Sequence, residues 1–353
     1  MQRLFRWLLG GVFYWLPLAL HAQVQRADVY GFRHYQLLFQ HDTVEVLVKS
    51  RPGDEHVRKP LLLFCQGSLP QPLLKLEGGA PYDVFPFSPD KLCVAYHLAI
   101  VGKPGVPLQQ NVADLASNFT CRTPTARYAV NNHLTYYVRR NRAVLRYLRR
   151  QPWASRQQLV VAGHSEGSTI AAHLARQYRR VTRLIYSGGN PSGRILSMVA
   201  QGRATETDST RTGENTLDYW QQVVNNPGSD TTKLGDTPKA TYSFSQPASP
   251  VLQRLAIPVL VTYGTKDWGA PYVDLLRVEC ARLGRRNLMF IPYIGAEHNY
   301  FPLLPSGQPD YAVFNWDKVA ADWLHWLQSR PAVTRRKMPG KNYLLVDRLR
   351  GKG

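Results

Sequence analysis

The chain lacks most of the patterns that mark specialised function classes. It holds four cysteines, Cys65, Cys93, Cys121 and Cys280, and none has metal-ligand spacing. There is no glycine-rich phosphate loop and no cluster of His, Asp and Glu in a metal-binding pattern. No cofactor and no metal are therefore expected. No repeat period and no heptad run occurs, which sets aside solenoids and coiled coils. Acidic residues are scarce, 24 against 44 basic, for a net charge of +20. No nucleic-acid motif accompanies that excess, so a nucleic-acid partner is not expected. One uncharged apolar run, Trp7 to Leu20, is present. It falls short of the ~20 residues a membrane-spanning helix needs.

That run has another reading. Arg3 and Arg6 precede it, and Ala22 before Gln23 supplies a small residue at a cleavage site. Residues 1–22 read as an export signal, and the mature chain is expected to be secreted or periplasmic. No cysteine follows the run, so a lipid anchor is not indicated. An oxidising compartment lets cysteines pair. Cys65 lies in a strand-like run and Cys280 in a helix-like one, and both are expected as buried thiols. Cys93 and Cys121 lie nearer loops and are the candidate disulfide, although four cysteines allow three full pairings. The positive charge is concentrated. From Arg330 to the end there are eight basic residues and one acid. Residues 331–353 read as a loosely held basic tail, and through it an association with an anionic surface or lipid. A solvated basic face is the simpler reading.

A hydrophobic fraction of 44% is ample for a large core. Tyr35–Phe39 and Thr43–Val48 flank Gln40-His41-Asp42 as a hairpin. Leu61–Cys65 and Val94–Val101 are fully apolar runs of buried-strand type. Over 133–150 helical spacing places Leu134, Val138, Leu145 and Leu148 on one face and the arginines on the other. A strand at 159–162, a helix at 168–175 and a strand at 181–187 follow. Residues 191–250 change character and read as an insertion, with a polar loop at 204–213 and a helix at 216–224. Sheet-like sequence resumes at 257–263, then a helix at 272–283, a strand at 287–292 and a closing helix at 316–327. Strands alternating with helices predict an α/β fold with a mostly parallel sheet covered on both faces.

The most informative residues are Gly163-His164-Ser165-Glu166-Gly167. They lie between an apolar run and a helix-like one, the strand–turn–helix context of a nucleophile elbow. A serine hydroxyl needs a base, and the base needs a carboxylate to fix its tautomer. Asp267 and His298 both follow predicted strands. Asp274, inside a helix, is the weaker acid, and Glu297 reads as a surface group. His164, His173 and His325 are weaker bases. Trp268, beside the acid, is a candidate for the pocket lining.

The motifs Gly163–Gly167, Tyr263-Gly264-Thr265-Lys266-Asp267 and Gly295–Tyr300, in that order, make the chain similar to the α/β-hydrolases over roughly residues 30–330. The resemblance implies catalytic Ser165, Asp267 and His298. It implies an oxyanion hole from the backbone N–H groups of Glu166 and Ser68. Gln66 stands where relatives often carry His, and Gly67 is kept. The loop Val101–Gly105 occupies a place that borders the pocket in relatives. The expected function is hydrolysis of a carboxylic ester through an acyl-enzyme, with a small-molecule or peptide acyl substrate. A prolyl-type or aminopeptidase-like peptidase stays open, because the cap-like insertion holds Glu206, Asp208, Glu214 and Asp218 to grip an amine. A non-catalytic binding protein on the same fold is the reading from a different class. Oligomeric state is not legible.

Overall fold

In the computed structural model the chain begins with a hairpin, β1 (Phe32–Phe39) and β2 (Asp42–Lys49), followed by β3 (Lys59–Cys65). The structure describes residues 30–329, apart from 83, 124 and 232–234. The expected signal segment 1–22 and the tail 331–353 lie outside the described residues. Gln40 and His41 turn the hairpin with φ of 48° and 64°, as a two-residue turn matching strand twist demands. Two short strands, β4 (Leu74–Glu77) and β5 (Ala80–Tyr82), precede a helical turn, α1 (Asp90–Cys93), and β6 (His97–Val101). The apolar run predicted as a strand from Val94 starts pairing only at His97. Tyr96 N–H still bonds back to Leu92, so residues 93–96 complete a helical turn.

Next come β7 (Gln109–Asn111), α2 (Ala126–Asn131), α3 (Leu134–Leu148), β8 (Ala154–His164), α4 (Glu166–Gln177) and β9 (Arg183–Ser187). Four helices follow before the next strand: α5 (Arg194–Thr205), α6 (Thr212–Asn225), α7 (Pro238–Phe244) and α8 (Ser249–Arg254). The chain returns to the sheet with β10 (Val259–Gly264), α9 (Ala270–Arg282), β11 (Leu288–Tyr293) and α10 (Trp316–Gln328). Eight strands form one sheet in the order β1-β2-β6-β3-β8-β9-β10-β11. The strands from β6 to β11 run parallel, and β2 is antiparallel to its neighbours. β4, β5 and β7 make a small second sheet.

A parallel sheet covered on both faces needs strands apolar on both faces. In β3, Leu61, Leu63 and Cys65 enter one core while Leu62 and Phe64 enter the other. In β8, Leu159 and Val161 alternate in the same way with Val160 and Ala162. The first core is closed by α3, α4, α8 and α9, the second by α1 and α10. One arginine breaks the predicted division of α3. Arg140 is buried at 2% exposure, its guanidinium 5.1 Å from the Tyr137 ring. The ring face accepts a cation there in place of water.

The cysteine pairing is corrected. All four thiols are free. Cys93 closes α1 and is packed in the second core, while Cys121 sits at an isolated bridge with Leu115, its Sγ 3.5 Å from Gln110. Burial pushes the Cys65 and Cys93 thiols up to about 12, which leaves them protonated and unreactive at neutral pH.

Candidate active site

Ser165 stands at the turn between β8 and α4, at the carboxyl edge of the sheet. Its backbone is strained, with φ 57° and ψ −127°, a region that costs a non-glycine residue of order 1–3 kcal/mol. The turn is tight because two glycines let backbones meet. A Cβ on Gly163 would lie 2.0 Å from the Gly167 carbonyl oxygen, and one on Gly167 2.0 Å from the Cys65 carbonyl oxygen. No methyl group fits at either distance. The strain lifts the Ser165 hydroxyl clear of the helix and aims it at the loops that follow β10 and β11.

Those loops bring the predicted partners. His298 Nε2 lies 2.9 Å from Ser165 Oγ. His298 Nδ1 lies 2.7 Å from Asp267 Oδ2. With Nδ1–H donating to the carboxylate, Nε2 carries the lone pair that accepts the serine proton. The other carboxylate oxygen, Oδ1, accepts the Gly269 N–H at 3.0 Å, so Asp267 is fixed on both sides. Burial works against ionising Asp267, but the His298 hydrogen bond and charge and the Gly269 N–H outweigh it and hold the carboxyl below its ordinary range. Burial likewise works against charging His298, and Asp267 overrides it, so the imidazole is raised above its ordinary 6.5. A histidine acting as general base must be neutral. The ascending acid limb of kcat/KM is therefore expected with a midpoint above 6.5. Asp267→Asn removes the raising partner: the limb moves down in pH and the rate falls by about 10⁴. A pH–rate profile of both forms checks the direction.

The loop opposite carries the expected oxyanion donors. Gln66, the departure from His, donates Nε2–H to the Val101 carbonyl at 2.6 Å. Tyr128 Oη donates to the Ser68 carbonyl at 2.9 Å. Gly67 packs so that a Cβ there would sit 3.5 Å from Ser165 Cβ. Glu166 N–H is a first-turn amide of α4, without an intrahelical acceptor. Gly67, next to Ser68, and the first turn of α4 thus both lie beside Ser165.

His164 is no rival base. It is buried, its Nδ1 is 3.1 Å from Ser187 Oγ, and its ring centroid is 5.0 Å from that of His298. Burial first, then the neighbouring His298, push it down to about 3. It packs behind His298 as a neutral ring. Tyr300, two residues past the base, anchors that loop: its hydroxyl meets Ser187 Oγ at 2.6 Å and Thr262 Oγ1 at 2.9 Å. Asp274 receives the Tyr263 hydroxyl at 2.6 Å, while Asp267 is the carboxylate bonded to His298. Glu297 accepts the Asn299 and Phe301 N–H groups, which fixes the turn around the base. Trp268 does line the cavity at Ser165.

Sequence reasoning missed a buried ion cluster. The Glu166 carboxylate, 1% exposed, lies 3.1 Å from Lys103 Nζ and 3.2 Å from Arg194 Nη1. Arg194 also holds Asp236 at 2.8 Å. Lys103 belongs to the loop expected to shape the pocket; its ammonium instead turns inward, 3% exposed, and reaches Glu166, next to Ser165. Among the described residues, no group of three or more His, Cys, Asp or Glu could hold a metal ion.

Neither a family model nor a curated protein sequence matches the chain. Solved structures do. It is similar to the α/β hydrolase GrgF from Penicillium sp. sh18, at 12% identity and TM-score 0.51, over 84% of this chain and 97% of that one. The fold is the α/β-hydrolase fold. Acetyl xylan esterase 1 from Thermoanaerobacterium sp. JW/SL YS485 is also similar, at 11% identity and TM-score 0.50, over 89% of each chain. Dipeptidyl peptidase 4 from Porphyromonas gingivalis matches 83% of this chain at 12% identity and TM-score 0.51, but over only 35% of its own length. Within an α/β-hydrolase fold, β8, β10 and β11 are the strands whose ends bring Ser165, Asp267 and His298 together.

Proposed function

We propose that this chain is a serine hydrolase that cleaves carboxylic esters through an acyl-enzyme on Ser165. The observation that carries the reading is the unbroken hydrogen-bond chain from Ser165 Oγ through His298 to Asp267, set on a strained turn. Ser165 Oγ attacks the ester carbonyl carbon as His298 Nε2 takes its proton, and Asp267 stabilises the imidazolium. The tetrahedral oxyanion lies against the Glu166 and Ser68 N–H groups. His298 then protonates the leaving alcohol. Water, deprotonated by His298, attacks the acyl-enzyme and frees Ser165 and the acid. Export on the segment 1–22 belongs to the same reading.

The aminopeptidase-like form of the peptidase alternative needs a carboxylate in the pocket to bind an amine. Glu206 and Glu214 both pair with Arg203 instead. None of Glu206, Asp208, Glu214 and Asp218 lines the cavity at Ser165. The carboxylates that do line it, Glu166, Asp267 and Glu297, are each held by protein partners. Short-chain p-nitrophenyl esters are expected to turn over and aminoacyl anilides not. Anilide turnover exceeding that of the esters would overturn the ester reading.

A further inference from the structure

Ser165 and His298 open onto two cavities. One, of about 380 Å³, lies against α5 and presents Asn190, Arg194, Ser197 and Gln201. The other, of about 710 Å³, lies beyond the Gln66–Ser68 loop and is lined by aromatic rings together with polar groups, among them Gln71, Lys75 and Asn118. These rings form two walls. On one side Tyr82 from β5 pairs with Phe119 at 5.0 Å between centroids. On the other, the segment after His298 places Phe301 5.0 Å from Tyr311 and 6.3 Å from Phe314. Both walls lie outside the eight-stranded sheet and its two cores.

Three of these rings are left in water: Tyr311 is 73% exposed, Phe314 50% and Tyr82 42%. Folding gains little from rings held that way, and clustered exposed apolar side chains mark a binding surface. The cleft is continuous with the reacting atoms, so its occupant is joined to the bond that Ser165 attacks. Aromatic rings in both groups favour another ring over an alkyl chain, because ring quadrupoles reward stacked and edge-to-face contacts beyond area alone.

We propose that this cleft is the subsite for an aromatic ring system carried by the ester substrate. The inference rests on the ester-hydrolase reading of Ser165. The rest of the ester, on the far side of the carbonyl, then faces the cavity against α5, which Met198, Phe244 and Trp268 line beside the polar groups.

The test compares native protein with the double variant Tyr311→Ala/Phe314→Ala on 2-naphthyl acetate, methyl 2-naphthoate, methyl octanoate and methyl acetate. For at least one naphthyl ester, kcat/KM relative to methyl acetate is expected to fall about tenfold or more in the variant, mainly through KM. The corresponding ratio for methyl octanoate falls less. Unchanged ratios for both naphthyl esters, or an equal fall for methyl octanoate, overturn the proposal. A second arm measures binding of methyl 2-naphthoate by naphthalene fluorescence, with Ser165→Ala in both backgrounds. Weaker binding to the protein lacking the two rings is expected, and equal affinities overturn the proposal. If no ester is hydrolysed, the reading of Ser165 fails, and this arm still decides the cleft.

Discussion

Ser165→Ala is expected to lower kcat/KM for a short acyl ester by about 10⁵–10⁶, the scale on which triad nucleophiles act. The fold should be intact, because the side chain makes its hydrogen bond to His298 and little else. Ser165→Gly should be equally inactive yet more stable. It removes backbone strain of order 1–3 kcal/mol and returns roughly 0.5–1 kcal/mol of glycine entropy. Thermal melts of the three forms check this. A Tm for Ser165→Gly below that of Ser165→Ala would contradict the strained-turn description. A loss of rate under about 100-fold in Ser165→Ala would mean that the hydroxyl is not the nucleophile.

The second large effect belongs to Glu166. Its carboxylate, one residue past Ser165, neutralises Lys103 and Arg194. Burial pulls the Lys103 ammonium below its ordinary range, and Glu166 opposes that pull. Glu166→Ala leaves Lys103 without its carboxylate, and removing one member of a buried pair costs about 3–5 kcal/mol. Arg194 is 21% exposed and keeps Asp236, so most of the loss falls on Lys103. Replacing both members with apolar residues, Glu166→Leu with Lys103→Met, should recover most of the stability, because well-packed apolar pairs often match buried ion pairs. Urea unfolding of the single and double variants gives the coupling. Additive losses would show that the two side chains are not a pair. Since Arg194 lies on α5, the cluster also ties α5 to the residue beside Ser165, and Glu166→Ala should lower activity along with stability.

The legible parts of the chain were those with a local signature. The apolar runs of β3 and β8 carry both cores in adjacent positions, so their burial shows in four or five consecutive residues. Ser165, Asp267 and His298 each sit a few residues past such a run, and proximity to a strand end is a local property. What stayed hidden depends on contacts between distant positions. Lys103 and Glu166 are 63 positions apart, and nothing around Lys103 distinguishes it from a solvated lysine. Arg140 lies among exposed arginines, and only the rings of Tyr136 and Tyr137 show why it is buried. The small second sheet had one local sign. Gly78 and Gly79, with φ of 57° and 82°, form a two-residue hairpin turn, but strands of four and three residues show no alternation to read. The aromatic cleft is assembled from Tyr82, Phe119 and the segment 301–314, so it exists only after folding.

The most direct measurement is mass spectrometry of the protein after reaction with a fluorophosphonate, native beside Ser165→Ala. A serine activated by His298 attacks phosphorus as it attacks a carbonyl, and the adduct stays on its oxygen. The predicted result is one adduct on native protein, on the peptide containing Ser165, and none on Ser165→Ala. Native protein that stays unlabelled, or a Ser165→Ala protein that labels as fast as native, would contradict Ser165 as the nucleophile.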